Sequence, residues 1–207
     1  MPDLYVQYGC GFSAPVGWLN FDASPTLRFE RIPVVGRLYT KNASRFPSNV
    51  RYGDIVKGLP LKPDSCSGIY CSHILEHLAL EDASQAFKHT FQYLKSGGTF
   101  RLVVPDLRQL AQEYLVSDSS TAAHHFMESA CLGRKQYPRS LTGFVKDWLG
   151  GSAHLWMWDE RAMAEALQQH GFTGVRRCSF GDAADPKFRE VEEAGRFAGC
   201  LAMECNK

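Results

Sequence analysis

Apolar residues gather in short blocks at the start of this chain and in helical spacing further on. Leu4 to Val6 runs into the small-residue turn Gly9-Cys10-Gly11, and Trp18 to Phe21 ends on Asp22. Blocks this short, bounded by turn formers, are the pattern of buried strands. Val50-Arg51-Tyr52, closed by Gly53-Asp54, and Gly68 to Cys71 add a third and a fourth. From Glu81 to Leu94 the period changes: Ala83, Ala86, Phe87, Thr90, Phe91 and Leu94 recur three and four positions apart, which predicts an amphipathic helix closed by Gly97-Gly98. Thr99 to Val104 is a β-branched strand stopped by Pro105. Strand, helix, strand in this order is the grammar of a parallel sheet with crossovers.

Residues 106–158 break that rhythm. Helical stretches at Leu107 to Leu115 and Ala122 to Leu132 lead into a passage rich in Gly, Pro, Ser and Thr, then Gly150-Gly151 and the sequence HLWMWD. An excursion of this length at a strand's carboxyl end serves as a lid or as a dimer element. Asp159 then caps a helix that runs through Gln169 and ends at Gly171. Gly174 to Phe180 and Phe197 to Cys205 are further strands. Only an irregular loop from Gly181 to Gly195 joins them, so the last strand is expected to be antiparallel. The expected fold is one α/β domain over 1–207. It is a Rossmann-like, doubly wound, mostly parallel sheet with an antiparallel C-terminal strand and a helical insertion at 107–153.

Composition narrows the partners. With 44% hydrophobic residues the chain can bury a core without staples. Lys+Arg of 23 against Asp+Glu of 22 leaves a net charge of +1, so neither nucleic acid nor an anionic membrane is an expected partner. The seven cysteines form no CxxC pair, and no histidines stand at finger-like spacing. That argues against a zinc site or a disulfide framework, for reduced thiols in a cytoplasmic protein, and for no metal. No run approaches the ~18 apolar residues that a membrane span needs.

The glycine turn and the acids at strand ends carry the candidate chemistry. Gly9 and Gly11 allow positive φ and let a ligand lie against bare backbone, and a carboxylate just past a strand can accept both hydroxyls of a ribose. In order and content the pieces YGCG at 8–11, FDAS at 21–24, YGDIVKGLPL at 52–61, YCSHILEHL at 70–78, LKSGGTFRLVVPD at 94–106 and HGF at 170–172 resemble the class I S-adenosylmethionine-dependent methyltransferases. The likeness is to the methyltransferase type 11 kind, with a shortened N-terminal part. The resemblance implies S-adenosyl-L-methionine as cofactor and S-adenosyl-L-homocysteine as product. It places Gly9, Cys10 and Gly11, led into by Gln7 and Tyr8, against the methionine part, and Asp22 on the ribose. Asp54 and the Ile55 N–H would meet the adenine, and Ser72, His73 and Ile74 would line the pocket near the sulfonium.

Two departures from the family pattern matter. Only eleven positions separate Gly11 from Asp22, and they include Pro15 and Gly17, so the helix that normally links the first two strands is missing or reduced to a turn. The segment 107–153 is then expected to cover the cofactor's methionine end. Gln7 stands where the family usually has an acid, and Ser67-Gly68 where it has another.

Methyl transfer to oxygen or nitrogen also needs a proton acceptor. The candidates are His154, then His73, with His124, His125 and Asp106 behind them. His154 also reads as an imidazole packed among Trp156 and Trp158, Glu76 and His77 as residues that orient the start of the following segment, and Asp106 as a strand-end turn. Tyr137, Phe144, Trp148, Trp156 and Trp158 suit a planar surface over an acceptor, a core or a homodimer contact through 107–153 equally. The expected acceptor is a small molecule or a saccharide-type compound. Two rivals stand beside this reading: a methyltransferase-like binding module that acts in an assembly without turnover, and a dinucleotide oxidoreductase. The latter needs a helix N-terminus after the glycine turn, which Pro15-Val16-Gly17 does not offer.

Overall fold

Alternate residues of the central strands take opposite sides of one sheet in the computed structural model, which describes residues 3–34, 36, 44–133 and 153–207. The strands are β1 (Leu4–Tyr8), β2 (Leu19–Asp22), β3 (Val50–Tyr52), β4 (Cys66–Ser72), β5 (Leu94–Pro105), β6 (Thr173–Arg177) and β7 (Cys200–Asn206). They lie in the order β3-β2-β1-β4-β5-β7-β6. β1 to β5 pair in parallel, and β7 runs antiparallel to both β5 and β6. The mostly parallel sheet with an antiparallel last strand is therefore as expected. β1 lies between β2 and β4, so the chain leaves it in one direction and resumes beside it in the other, which opens a crevice at the carboxyl ends.

One face is apolar and conventional. Val6, Tyr8, Phe21, Ile69, Cys71, Phe100, Leu102 and Met203 form its core beneath α2 (Leu80–Tyr93) and α5 (Glu160–Gln169). α2 turns Ala83, Ala86, Phe87 and Thr90 inward at the spacing read from the sequence, with Glu81 and Asp82 at its positive end. α5 starts where expected, because Asp159 accepts the Ala162 N–H at 2.8 Å.

The other face carries a polar row across the sheet: Asn20, Gln7, Tyr70, Arg101 and Glu204 are neighbours at one register. No long helix covers it between β1 and β2. The connection from β6 to β7 crosses it instead, bringing Phe188 and Val191 against Trp18, Tyr70 and Val103. Phe188 is fully buried, and its ring centroid lies 5.6 Å from that of Trp18. Burial on this scale contributes about 1.5–3 kcal/mol for one such side chain. The Tyr5 hydroxyl donates to Asp185 at 2.6 Å, tying the crossing to β1. Within the crossing lie a 3-10 turn (Pro186–Glu190) and α6 (Ala194–Phe197), which displaces the start of β7 from the expected Phe197 to Cys200.

Arg101 pins this crossing from beneath. Its guanidinium is completely buried, binds Glu192, and donates to Glu204 at 2.8 Å, to the Ser179 carbonyl at 2.6 Å and to Asp182 at 2.9 Å. A guanidinium can satisfy several acceptors at once, which is why arginine rather than lysine suits this place.

The other elements are α1 (Pro25–Glu30), capped by Ser24, and the pair α3 (Leu107–Val116) and α4 (Ala122–Ser129). Neither α3 nor α4 has a buried residue, and Leu115 and Val116 are exposed. Tyr137, Phe144, Trp148 and Gly150-Gly151 lie outside the described residues, so the covering role expected of 107–153 is described here only as far as α3 and α4. Among the described residues, no helix is long and apolar enough to cross a membrane.

Replacing Arg101 with Met leaves Glu192 buried without its cation and is expected to cost about 3–5 kcal/mol of unfolding free energy, measured in urea. A pH signature comes from Asp182. Partial burial opposes its charge, but hydrogen bonds from Arg176, the Ser179 N–H and Arg101 outweigh that and hold its carboxyl down to about 2. A depressed folded pKa stabilises above the unfolded value and loses that contribution as the pH falls through the folded one. Asp182→Asn should therefore flatten the wild-type loss of stability between about pH 4 and pH 2. Equal acid slopes in the two proteins would refute this.

Candidate cofactor and acceptor site

Four strand ends meet at the crevice. The Cys10 N–H donates to the Phe21 carbonyl at 3.1 Å, and the Gly53 N–H donates to that of Asp22 at 3.1 Å, so the segments that follow β1, β2 and β3 are tied together. Gly9 and Gly11 both have positive φ, +67° and +54°. Their free faces differ. A Cβ on Gly9 would stand 1.9 Å from Ile74 Cδ1, whereas one on Gly11 would meet nothing within 4 Å. The bare backbone expected at both positions is open to a ligand only at Gly11, because the Ile74 side chain lies across Gly9. Cys10 packs with Leu27, Phe46 and Val50. Burial first, and the Asp22 carboxylate second, push its thiol up to about 12, so it is no nucleophile.

Side-chain amides hold the short turn where a helix was missing. Gln7 Nε2 donates to the Ser13 carbonyl at 2.7 Å and to Asn20 Oδ1 at 2.6 Å, and Asn20 Nδ2 donates to the carbonyls of Pro15 and Trp18 at 3.1 and 3.0 Å. Gln7 thus commits both amide hydrogens inside the protein. Tyr8 turns the opposite way, its hydroxyl 3.3 Å from that of Thr90 in the core. Neither side chain has a donor left for a ligand, and what remains at these two positions is main chain and the Gln7 amide oxygen.

Asp22 is nearly buried, with Oδ2 accepting the Gly11 N–H at 2.9 Å and Oδ1 the Ser24 N–H at 2.8 Å. Each oxygen retains a lone pair, enough for two ligand hydroxyls. Asp54 accepts the Val56 N–H at 3.1 Å and pairs with the exposed Lys57 at 3.0 Å. An exposed pair of this kind contributes little. The Ile55 side chain faces the core, and its carbonyl accepts from His89 Nδ1 at 2.7 Å.

The end of β4 holds the densest chemistry. The Ser72 hydroxyl is buried without a partner. His73 has φ +56° and donates its N–H to the Val103 carbonyl at 2.8 Å. Its ring lies with Nε2 3.1 Å from the Arg196 carbonyl and Nδ1 3.3 Å from Glu76 Oε1. The Cys200 sulfur, Glu76 and the Arg196 carbonyl together raise its pKa to about 10 against the effect of burial. A 3-10 turn (Leu75–His77) then buries Glu76 completely, and neither of its carboxylate oxygens has a hydrogen-bond partner.

The returning segment docks here. The Leu155 and Trp156 N–H groups donate to the Glu76 carbonyl at 2.7 and 3.2 Å, and the His154 N–H to that of Cys131 at 3.1 Å. His77 Nδ1 lies 3.1 Å from the Ala153 carbonyl, and the His77 and His154 rings meet edge to face at 4.9 Å. Nδ1 of His154 is buried and unpartnered, and burial lowers the pKa of this ring against the pull of Glu76. The contact of His154 with Glu76 and His77, rather than packing among tryptophans alone, is what the sequence did not reveal. Its signal lay in SHILEHL and HLWMWD read together. Asp106 is absorbed by structure: it caps α3 and pairs with Arg177 at 3.0 Å. His124 and His125 are exposed on α4.

Residues 14–177 match the profile of a family described as a methyltransferase domain. Among solved structures, similarity extends to a SAM-dependent methyltransferase of Thermotoga maritima, with TM-score 0.54 and 15% identity over 100% of this chain and 84% of that one. It extends also to a complex of the Haloferax volcanii Trm112 methyltransferase activator with a methyltransferase, at 0.52 and 17% over 99% and 82%. A SAM-dependent methyltransferase of Archaeoglobus fulgidus gives 0.52 and 13% over 99% and 86%. These likenesses are of fold. No curated protein sequence matches the chain.

The asymmetry of the two glycines is testable by stability. Gly9→Ala, which meets both Ile74 and a left-handed backbone, is expected to cost about 2–4 kcal/mol, and Gly11→Ala only about 1, from the backbone alone. Combining Gly9→Ala with Ile74→Ala should cost less than the two single changes added together, as read from thermal unfolding. Strict additivity would show that Ile74 does not set the requirement.

Proposed function

The chain belongs to the methyltransferase domain family and is an S-adenosylmethionine-dependent methyltransferase, and from that premise we propose how it holds its cofactor and what it methylates. The observation that carries the reading is the meeting of Gly11, Asp22, Asp54 and Ser72–Ile74 at the carboxyl ends of β1 to β4, in the crevice where open α/β sheets take ligands. The residues fit the cofactor: a glycine face with open space before it, and a carboxylate with lone pairs to spare.

Gly11 and the main chain of Gln7 to Cys10 receive the methionine part. Asp22 accepts the ribose hydroxyls, and Asp54 with the Ile55 N–H meets the adenine, Lys57 giving way. Ser72, His73 and Ile74 border the sulfonium. When bound, the cofactor supplies an electrophilic methyl carbon. The protein's task is to align an acceptor lone pair with that carbon, exclude water and take the acceptor's proton. His73 has both ring nitrogens engaged, whereas His154 offers an unpartnered Nδ1, so His154 is the better-placed proton acceptor.

The acceptor is a small molecule or a saccharide-type compound. A net charge of +1 gives no field to gather a polyanion. The projecting pair α3–α4, with its exposed apolar residues, serves as part of a lid or as a contact with a second copy.

Calorimetry with S-adenosylhomocysteine tests the site. Asp22→Asn keeps an oxygen for a backbone N–H but removes the charge, and is expected to weaken binding by about 1–3 kcal/mol. An unchanged affinity would sink the ribose assignment. Turnover on a panel of hydroxylated small molecules and sugars, with His154→Ala slower than wild type at equal cofactor affinity, supports the enzyme. Cofactor binding with no turnover on any acceptor would favour a binding module.

A further inference from the structure

We propose that Glu76, His77 and His154 form a binding site for one divalent transition-metal ion. Each residue offers one ligand atom, and the three atoms all lie within 4.8 Å of one another. The proposal stands on how these side chains are held. Glu76 is 0% exposed, and both its carboxylate oxygens lack a hydrogen bond. A buried carboxylate oxygen without a hydrogen bond is costly unless a cation meets it. His73 Nδ1 pairs with Oε1 at 3.3 Å, so the lone pairs left for an ion are those of Oε2, which has no partner.

The imidazoles are set up in the way metal ligands are. The Ala153 carbonyl, 3.1 Å from His77 Nδ1, can only accept, so Nδ1 carries the proton and the lone pair of His77 is on Nε2. A carbonyl that fixes the tautomer in this way is the usual support of a metal-binding histidine. His154 brings a buried Nδ1 with no partner. The two halves of the site are joined by main-chain bonds from Leu155 and Trp156 to Glu76, so its shape does not depend on the ion.

Two imidazoles and one carboxylate suit zinc, cobalt, iron or manganese rather than calcium or magnesium, and three protein ligands leave coordination positions open. The cysteine spacing pointed to no metal because this donor set uses no cysteine and is split between residues 76–77 and 154. The consequence for catalysis rests on the methyl-transfer reading. With the ion in place, the lone pair of His154 goes to the metal. An acceptor hydroxyl bound at an open position would be acidified by the ion and lose its proton to solvent, and its oxygen would then bond the methyl carbon as the carbon–sulfur bond breaks, the electron pair staying on the sulfur of S-adenosylhomocysteine.

The test is a titration of chelator-treated full-length protein with Co2+, followed by absorption, with Zn2+ as competitor. The expected result is one Co2+ per chain, with visible ligand-field bands, no sulfur-to-cobalt charge transfer, and displacement by Zn2+. His77→Ala and His154→Ala should each weaken binding by at least about tenfold while the protein stays folded by circular dichroism. Cys131→Ser should leave it unchanged. Absence of stoichiometric uptake, a sulfur-to-cobalt band, or wild-type affinity in both histidine variants would overturn the site. S-adenosylhomocysteine titrated into the same samples separates the two readings. Its binding to a protein that takes no metal leaves methyl transfer standing, and metal uptake without cofactor binding removes methyl transfer and keeps the site.

Discussion

A buried guanidinium organises one whole side of this protein. Arg101 lies on β5, an interior strand of the sheet, and its partners Glu192, Asp182 and the Ser179 carbonyl belong to the connection that crosses the face above it, while Glu204 belongs to the neighbouring strand. Isolated, a charge in that position would be prohibitive; ringed by acids and a carbonyl, it becomes a reason for the crossing to lie where it does. The apolar contacts of Phe188 and Val191 follow from that placement. They in turn cover Trp18, just before β2, on a face that no long helix shields there. One side of the sheet is therefore closed by an ion-pair cluster and the apolar contacts that it places.

The parts of this architecture that sequence made legible are those written in local periodicity. α2 and α5 appear within a residue of their expected limits, because an amphipathic spacing and an Asp cap act over a few positions. The strand blocks and the antiparallel last strand were equally readable. The crossing was not: Ser179 to Gly199 has no period, and its role comes from contacts with residues as distant as Tyr5 and Arg101. Covering of the cofactor side was expected from 107–153, but the described part of that stretch, α3 and α4, stands clear of the core.

The site shows the same division. Acids at the ends of β2 and β3 could be picked out by position. What each atom does could not. Gly9 and Gly11 look alike in sequence, yet one is filled by Ile74 and the other is open. Glu76 and His154 lie 78 positions apart and acquire meaning only because Leu155 and Trp156 bond to the Glu76 carbonyl. Gln7 spends its amide hydrogens on the turn itself, a use that only the folded turn reveals.

The crossing also bears on the order in which the chain is made. β7 lies inside the sheet, between β5 and β6, yet is synthesised after every other described strand. Until it emerges, β5 presents an unpaired edge, and the face beneath the crossing, with Trp18, Tyr70 and Val103, stays wet. Before β7 arrives only β1 to β5 can pair, and β6, whose neighbour in the sheet is β7, has no strand to join, so such a chain is not a smaller version of the finished fold. Arg101 helps here in a second way: a charge on the uncovered face discourages strand-to-strand association between neighbouring nascent chains, until the arriving acids neutralise it and close the sheet.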